Sequence, residues 1–159
     1  MSAYTRLVAR FAATRAGAAM FKLLLPALDR LTFKVTKGRR VFTNHAVPTL
    51  ILTTTGRKTG QPRAQPLCYL KDGADLVVVG SNWGQEHHPS WTANLLAHPR
   101  ASIVVEGQTS QVEARPVEEE EWETLYRRFE QMSQNYRSYR GWARERKIRM
   151  FRLTPVRGG

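Results

Sequence analysis

Short β-type runs joined by hairpin-length connections recur between residues 49 and 153, and they restrict this chain to an antiparallel architecture. Residues 49–55 are β-branched and apolar, and residues 64–71 are strand-like again. Asp72-Gly73-Ala74-Asp75 is a strong hairpin signal ahead of a run at 76–80. Residues 101–106 and 108–117, joined through Gly107, form another hairpin, and 149–153 alternate like a closing strand. No strand-helix-strand unit recurs, which argues against a doubly wound parallel sheet. The expected fold is mainly β with flanking helices (α+β), a barrel of about six antiparallel strands with helices at its rim.

The helical signals are few. Residues 3–25 read as a helix ended by Pro26, and residues 34–40 form a basic linker into the main domain. The chain thus divides into 1–40, N-terminal helix and linker, and 41–157, the barrel domain. Pro89 suits a helix start, with Trp91, Asn94, Leu95 and His98 following at helical spacing until Pro99. Residues 118–132 read as a helix whose acidic first turn matches the helix dipole. Residues 133–140 carry Tyr136 and Tyr139, with a short helix expected after them.

The connection between the first two strands stands out chemically. Thr53-Thr54-Thr55-Gly56-Arg57-Lys58-Thr59-Gly60-Gln61-Pro62-Arg63 packs three cations, two glycines and a proline into one turn. Gly56 and Gly60 can take positive φ, so the backbone can turn N–H groups toward one spot, which Arg57, Lys58 and Arg63 then surround with charge. Such a turn suits a phosphate or carboxylate. The same residues also suit a long, solvated basic loop.

Charge distribution points the same way. The 159 residues carry a formal charge of +12, and residues 1–71 hold thirteen Lys or Arg against one acid, Asp29. The basic half implies an anionic partner: nucleic acid, a membrane surface or a polyanionic small molecule. No segment has the roughly 20 uninterrupted apolar residues of a membrane span. Lys22 and Pro26 spoil a signal-peptide reading of the N-terminal stretch. Arg6 and Arg10 fall nearly opposite Arg15 and Lys22 on a helical wheel, so a helix there lies poorly on a membrane. Cys68 excludes an internal disulfide and reads as a small buried hydrophobe in a reducing compartment.

The basic turn, followed by Pro66-Leu67, Val79-Gly80-Ser81 and His88-Pro89-Ser90-Trp91 with Asn94, resembles the deazaflavin-dependent nitroreductase family. The resemblance covers roughly residues 45–156. It implies a split β-barrel of the FMN-binding type and the coenzyme F-420, an 8-hydroxy-5-deazaflavin whose reduced form delivers a hydride. It places Arg57, Lys58, Thr59 and Arg63 around the phosphate and the start of the glutamate tail. Ala64, Gln65, Pro66 and Leu67 would run along the ring. Val79, Gly80, Ser81 and Asn82 would form the opposite wall, with Ser90, Trp91 and Asn94 contacting the side chain and ring. Tyr136 matches an active-site tyrosine, a hydrogen-bond donor to the acceptor, with Ser81 as a second donor.

The resemblance implies small-molecule acceptors of the quinone, nitro or enone type. A monomer or homodimer in the cytoplasm is expected, and the basic N-terminal half leaves peripheral membrane contact through its helix open as an alternative. Some members carry a lysine and a glycine after the serine, where this chain has Asn82 and Trp83, a bulky substitution that would reshape the acceptor pocket. Ser133 stands where another tyrosine can occur, which speaks against nitroimidazole reduction.

Other readings compete. FMN can serve a reductase on the same barrel, and the protein can also be a non-catalytic deazaflavin or lipid binder. Tyr136, Tyr139 and Trp142 interleave with Arg137, Arg140 and Arg144 in a pattern that can stack bases, but no nucleic-acid fold accompanies it, so nucleic acid is not expected. His87 and His88 adjoin and cannot easily chelate one ion together, and no further ligand stands at metal spacing. Trp91 and Trp122 also suit core positions.

Overall fold

In the computed structural model, residues 47–143 and 145–156 are described. The expected helix at 3–25 and the basic linker at 34–40 therefore lie outside the described residues. The strands are β1 (Thr49–Thr55), β2 (Pro62–Asp72), β3 (Asp75–Val79), β4 (Arg100–Val105), β5 (Gln108–Pro116) and β6 (Met150–Pro155). They close into an antiparallel barrel in the order β1-β2-β3-β6-β5-β4. The six-stranded barrel expected from the hairpin pattern is the one observed.

Turn chemistry accounts for two of the hairpins. Asp72 pairs with Asp75 across a two-residue loop whose first member, Gly73, has φ +62°, the glycine position of a type II′ turn. Val105 pairs with Gln108 across Glu106 (φ 50°) and Gly107 (φ 83°), the two left-handed residues of a type I′ turn.

Among the described residues, three helices and one 3₁₀ turn (Asn82–Gly84) decorate the barrel. Helix α1 (Ser90–Ala97) sends Trp91 and Leu95 into the barrel core beside Leu50, Leu52, Phe151 and Leu153. Helices α2 (Glu119–Met132) and α3 (Asn135–Trp142) instead cover the outer face of β2, β3 and β6. Val77 and Val79 pack there against Leu125, Tyr126 and Phe129. Burying each such side chain contributes about 1.5–3 kcal/mol, enough to dock α2 on its apolar stripe. The helix expected after residue 140 is α3 itself, and it already contains Tyr136 and Tyr139. Its only apolar stripe is aromatic, and that stripe packs once α2 offers Phe129 as a partner.

Ion pairs tie the same face. Arg152 reaches Asp72 at 2.7 Å and Glu121 at 2.8 Å, and Arg128 reaches Asp72 at 2.6 Å. These partners hold the Asp72 carboxyl below its usual range, Arg152 more than Arg128.

Candidate functional site

The basic turn is rigid, and its rigidity is internal. Gly56 N–H donates to the Gln61 carbonyl at 2.8 Å, and the Gly56 carbonyl accepts from Gly60 N–H at 2.7 Å and Thr59 N–H at 3.1 Å. Gln61 N–H donates to Thr59 Oγ1 at 3.3 Å. Only Gly60 of the two glycines has positive φ (+67°). Gly56 is needed for a different reason: a Cβ there would lie 2.8 Å from Thr59 Oγ1 and 3.1 Å from the Gln61 carbonyl oxygen. The expectation of N–H groups gathered toward one spot is thus corrected, because the turn uses most of them to hold its own shape.

What remains available is side-chain charge. Arg57, Lys58 and Arg63 are exposed, and among the described residues none of them pairs with a carboxylate. Thr59 is exposed beside them.

Asn94 fixes where that charge stands. It is buried on α1, accepts the Arg57 N–H at Oδ1 (3.1 Å), and donates from Nδ2 to Thr54 Oγ1 (3.0 Å). Both its polar ends are used within the protein, so it positions the turn. Trp91 is 3% exposed and tilts against Phe151 at 5.7 Å, which makes it a core residue with almost no surface for a ligand. Ser90 is exposed at the start of α1.

Alternation divides the segment 64–67. Leu52 faces Gln65 and Leu50 faces Leu67 across the β1–β2 ladder, and Leu50, Leu52 and Leu67 belong to the barrel interior. Gln65 and Leu67 therefore share the inward row, whereas Ala64, Pro66 and Cys68 share the outward one. Only the outward residues can lie along a ring on the barrel surface. Gln65 Nε2 is buried with no hydrogen-bond partner among the described residues.

The third strand leads into a tightly held loop. Gly80 sits under α1, where a Cβ would come within 2.8 Å of Thr92 Cγ2, and its N–H donates to the Arg149 carbonyl at 2.7 Å. Asn82 (φ 48°), Trp83 (φ 56°) and Gly84 (φ 73°) follow as three consecutive left-handed residues. For a bulky residue such as Trp83 this conformation costs roughly 1–2 kcal/mol.

Arg146 holds the loop in place. Its Nε donates to the Gln85 carbonyl at 2.9 Å, Nη2 to the Ser81 carbonyl at 2.8 Å, and Nη1 to the Gly80 carbonyl at 3.2 Å. Nη1 also meets His88 Nδ1 at 3.3 Å. Since a guanidinium can only donate, that ring nitrogen accepts and His88 is neutral. Burial, then Arg149 and Arg146, push the His88 pKa below its ordinary value. No local sequence pattern marks this partner for His88, which the structure alone supplies. Among the described residues no cluster of His, Cys, Asp or Glu could hold a metal ion.

Beyond the loop lies an aromatic cluster. Trp83 meets Tyr139 edge-on at 5.8 Å, Tyr139 meets Tyr136 at 5.8 Å, and Tyr136 tilts on Phe129 at 5.2 Å. The Tyr136 hydroxyl hydrogen-bonds the Cys68 side chain, and burial pushes its pKa well above that of an ordinary tyrosine. Cys68 is half-buried, less than expected, and packs against the cluster under α2 and α3 as a small hydrophobe would. Tyr126 crosses from α2 to donate its hydroxyl to the Tyr136 carbonyl at 2.8 Å.

The structure gathers the expected residues into a connected band. Arg57 joins Asn94, Thr92 on the same helix joins Gly80, and the loop at 81–84 joins α3 with Tyr136. Sequence reasoning missed Arg146, which stands in a cation-rich tail without any local pattern to mark it. The donor set fits the coenzyme that the resemblance implies: guanidinium and ammonium groups with no carboxylate partner among the described residues suit a phosphate and an anionic tail. The outward Ala64–Pro66 surface suits an apolar ring.

Comparison with known proteins agrees with this reading. Residues 29–155 match the family described as F420H(2)-dependent quinone reductase. An F420H(2)-dependent quinone reductase of Mycobacterium tuberculosis is 42% identical over 73 residues, 46% of this chain and 49% of that protein. The chain thus spans about half the length of such curated relatives. A second protein of that organism, whose name carries the same activity provisionally, is 32% identical over 109 residues, covering 69% of this chain and 91% of its own length.

Among solved structures, an F420-H2 dependent reductase superposes with a TM-score of 0.61 at 30% identity, covering 67% of this chain and 93% of that one. A chain described as a domain-swapped dimer gives 0.63 at 28% identity, covering 78% and 94%. With the barrel, the exposed cations and the match across residues 29–155 in agreement, this chain belongs to the F420H(2)-dependent quinone reductase family.

Proposed function

We propose that the chain binds reduced coenzyme F-420 and passes its hydride to a quinone. The observation that carries this is the set of three cations, Arg57, Lys58 and Arg63, that pair with no carboxylate among the described residues, on a turn pinned by Asn94, in a chain of this family. When bound, the reduced coenzyme supplies the hydride. Arg57, Lys58 and Arg63, with Thr59, hold the anionic tail. Ala64 and Pro66 offer the ring an apolar surface, and the backbone at Val79–Asn82 bounds the other side.

Ser81 is the better placed hydrogen-bond donor to the acceptor. It is half-buried, and its hydroxyl has no partner among the described residues, whereas the Tyr136 hydroxyl is engaged with Cys68. Tyr136 then supports the site from behind, setting Cys68 and the wall of β2. The protein's work is to hold donor and acceptor carbons roughly 3–3.5 Å apart and exclude water.

Nitro and enone acceptors, a homodimer, and membrane docking through residues 1–40 are extensions of this reading. The family name supports quinones ahead of the other acceptors.

The test is anaerobic reoxidation of reduced F-420 by menadione, with coenzyme affinity measured separately by fluorescence. Arg57→Ala combined with Lys58→Ala should weaken coenzyme binding by more than about tenfold, about 1.4 kcal/mol. Wild-type affinity in that variant would sink the assignment of the turn, and FMN bound more tightly than F-420 would replace the coenzyme.

A further inference from the structure

The inward row of β1 ends on a hydroxyl. Leu50 and Leu52 lie in the barrel core, and Thr54, next in the same row, is 1% exposed. A hydroxyl withdrawn from water is unfavourable unless a partner takes it, and a valine of the same shape would fill the space without that cost. The partner is Asn94, itself 6% exposed on α1 and 40 residues away. A backbone N–H can only donate, so the Arg57 amide, at 3.1 Å, turns the Asn94 side-chain oxygen toward the basic turn. The Asn94 amino group then faces Thr54 Oγ1 at 3.0 Å, and with an acceptor on that side the side-chain amide has one orientation. Thr54 also stands opposite Arg63 in the β1–β2 ladder, so the two share one face at the root of the turn.

We propose that Thr54 is a positioning residue for the coenzyme's phosphate: through Asn94 it holds the Arg57 amide, and with it the first arm of the basic turn, in the shape that receives the anion. The Thr54 hydroxyl does not touch the coenzyme, since a side chain so fully buried offers it no surface. Its effect is preorganisation, because a turn already in shape loses less conformational freedom when the phosphate binds. This inference rests on the coenzyme reading for the identity of the anion.

The experiment compares wild type with Thr54→Val, Thr54→Ser, Asn94→Ala and the variant that combines Thr54→Val with Asn94→Ala. Fluorescence gives the affinity for F-420 and for its nucleoside, the same deazaflavin and ribityl chain without phosphate or tail. Hydrogen exchange at the Arg57 amide is followed in the protein alone. The F-420 Kd should be about fivefold weaker in Thr54→Val, about tenfold weaker in Asn94→Ala, and no worse than about tenfold in the combined variant, because the hydroxyl acts through Asn94. Thr54→Ser, which keeps the hydroxyl, should stay within about twofold of wild type, and nucleoside affinity should hold in every variant. Arg57 exchange should accelerate wherever the hydroxyl or the Asn94 side chain is missing. Losses that multiply to about fiftyfold in the combined variant overturn the relay. A nucleoside affinity that falls along with that of F-420 overturns it too, since a general loss of structure would then be the cause. Wild-type exchange at Arg57 in Thr54→Val overturns it without reference to any coenzyme. Failure of wild type to bind F-420, with Arg57 exchange still accelerated in Thr54→Val, removes the coenzyme reading and leaves Thr54 its hold on the turn.

Discussion

Arg146→Met tests whether one guanidinium organises the wall of the site. Four contacts are lost: two short bonds to the Ser81 and Gln85 carbonyls at 2.8 and 2.9 Å, and two longer ones to the Gly80 carbonyl and His88 at 3.2 and 3.3 Å. Hydrogen bonds to a charged group contribute about 1.5–3 kcal/mol each, and the two short ones carry most of that. Burial of the guanidinium, which pulls its pKa below the ordinary value, offsets part of the gain.

The expected net loss is about 3 kcal/mol, roughly a 150-fold change in the folded-to-unfolded ratio. Arg146→Lys keeps the charge but not the fork and should recover about half. Urea unfolding gives the global value. Hydrogen exchange at the amides of Gly84 and Gln85, which donate to the Ser81 and Asn82 carbonyls, reports the loop itself. If the Met variant matched wild type within about 0.5 kcal/mol, or if Lys served as well as Arg, the clamp would be refuted.

Two further outcomes follow from the same loop and turn. The lowered pKa of His88 means that the unfolded chain binds its proton first as pH falls, so this contribution is complete above the ordinary value of 6.5 and is lost below it. Stability by urea midpoint should therefore fall between about pH 7.5 and about pH 5.5, and His88→Gln should flatten that slope; an unchanged slope would contradict it. Gly84→Ala combines positive φ (+73°) with a Cβ 2.8 Å from Trp142 Cβ and should cost more than about 2 kcal/mol. Gly60→Ala, with φ +67° and nothing within 4 Å, should cost only about 1 kcal/mol; equal losses in thermal unfolding would refute the crowding argument.

Much of the fold was legible because its signals are local. The period-2 runs, the Gly73 turn and the Gly107 turn each act over a few residues, and they predicted the strands that close the barrel. Helix α3 was placed too late because its aromatic stripe has little helical signal until α2 packs on it. The coenzyme residues were legible only as a set. At positions 64–67 the resemblance marks a continuous segment, whereas strand alternation sends Gln65 and Leu67 inward and leaves Ala64 and Pro66 outside.

An antiparallel barrel and a cluster of cations on one hairpin are encoded locally, since strand periodicity, turn glycines and charge are written within short stretches. Long-range packing set where those cations stand and which carbonyls are already taken. Asn94 reaches Arg57 across 37 residues, and Arg146 reaches Ser81 across 65. Both bonds form only after the barrel closes and brings α1 and the C-terminal segment against the loops. No local pattern encodes such a partner, because hydrogen-bonding side chains of this kind are equally at home in solvent until the fold withdraws it.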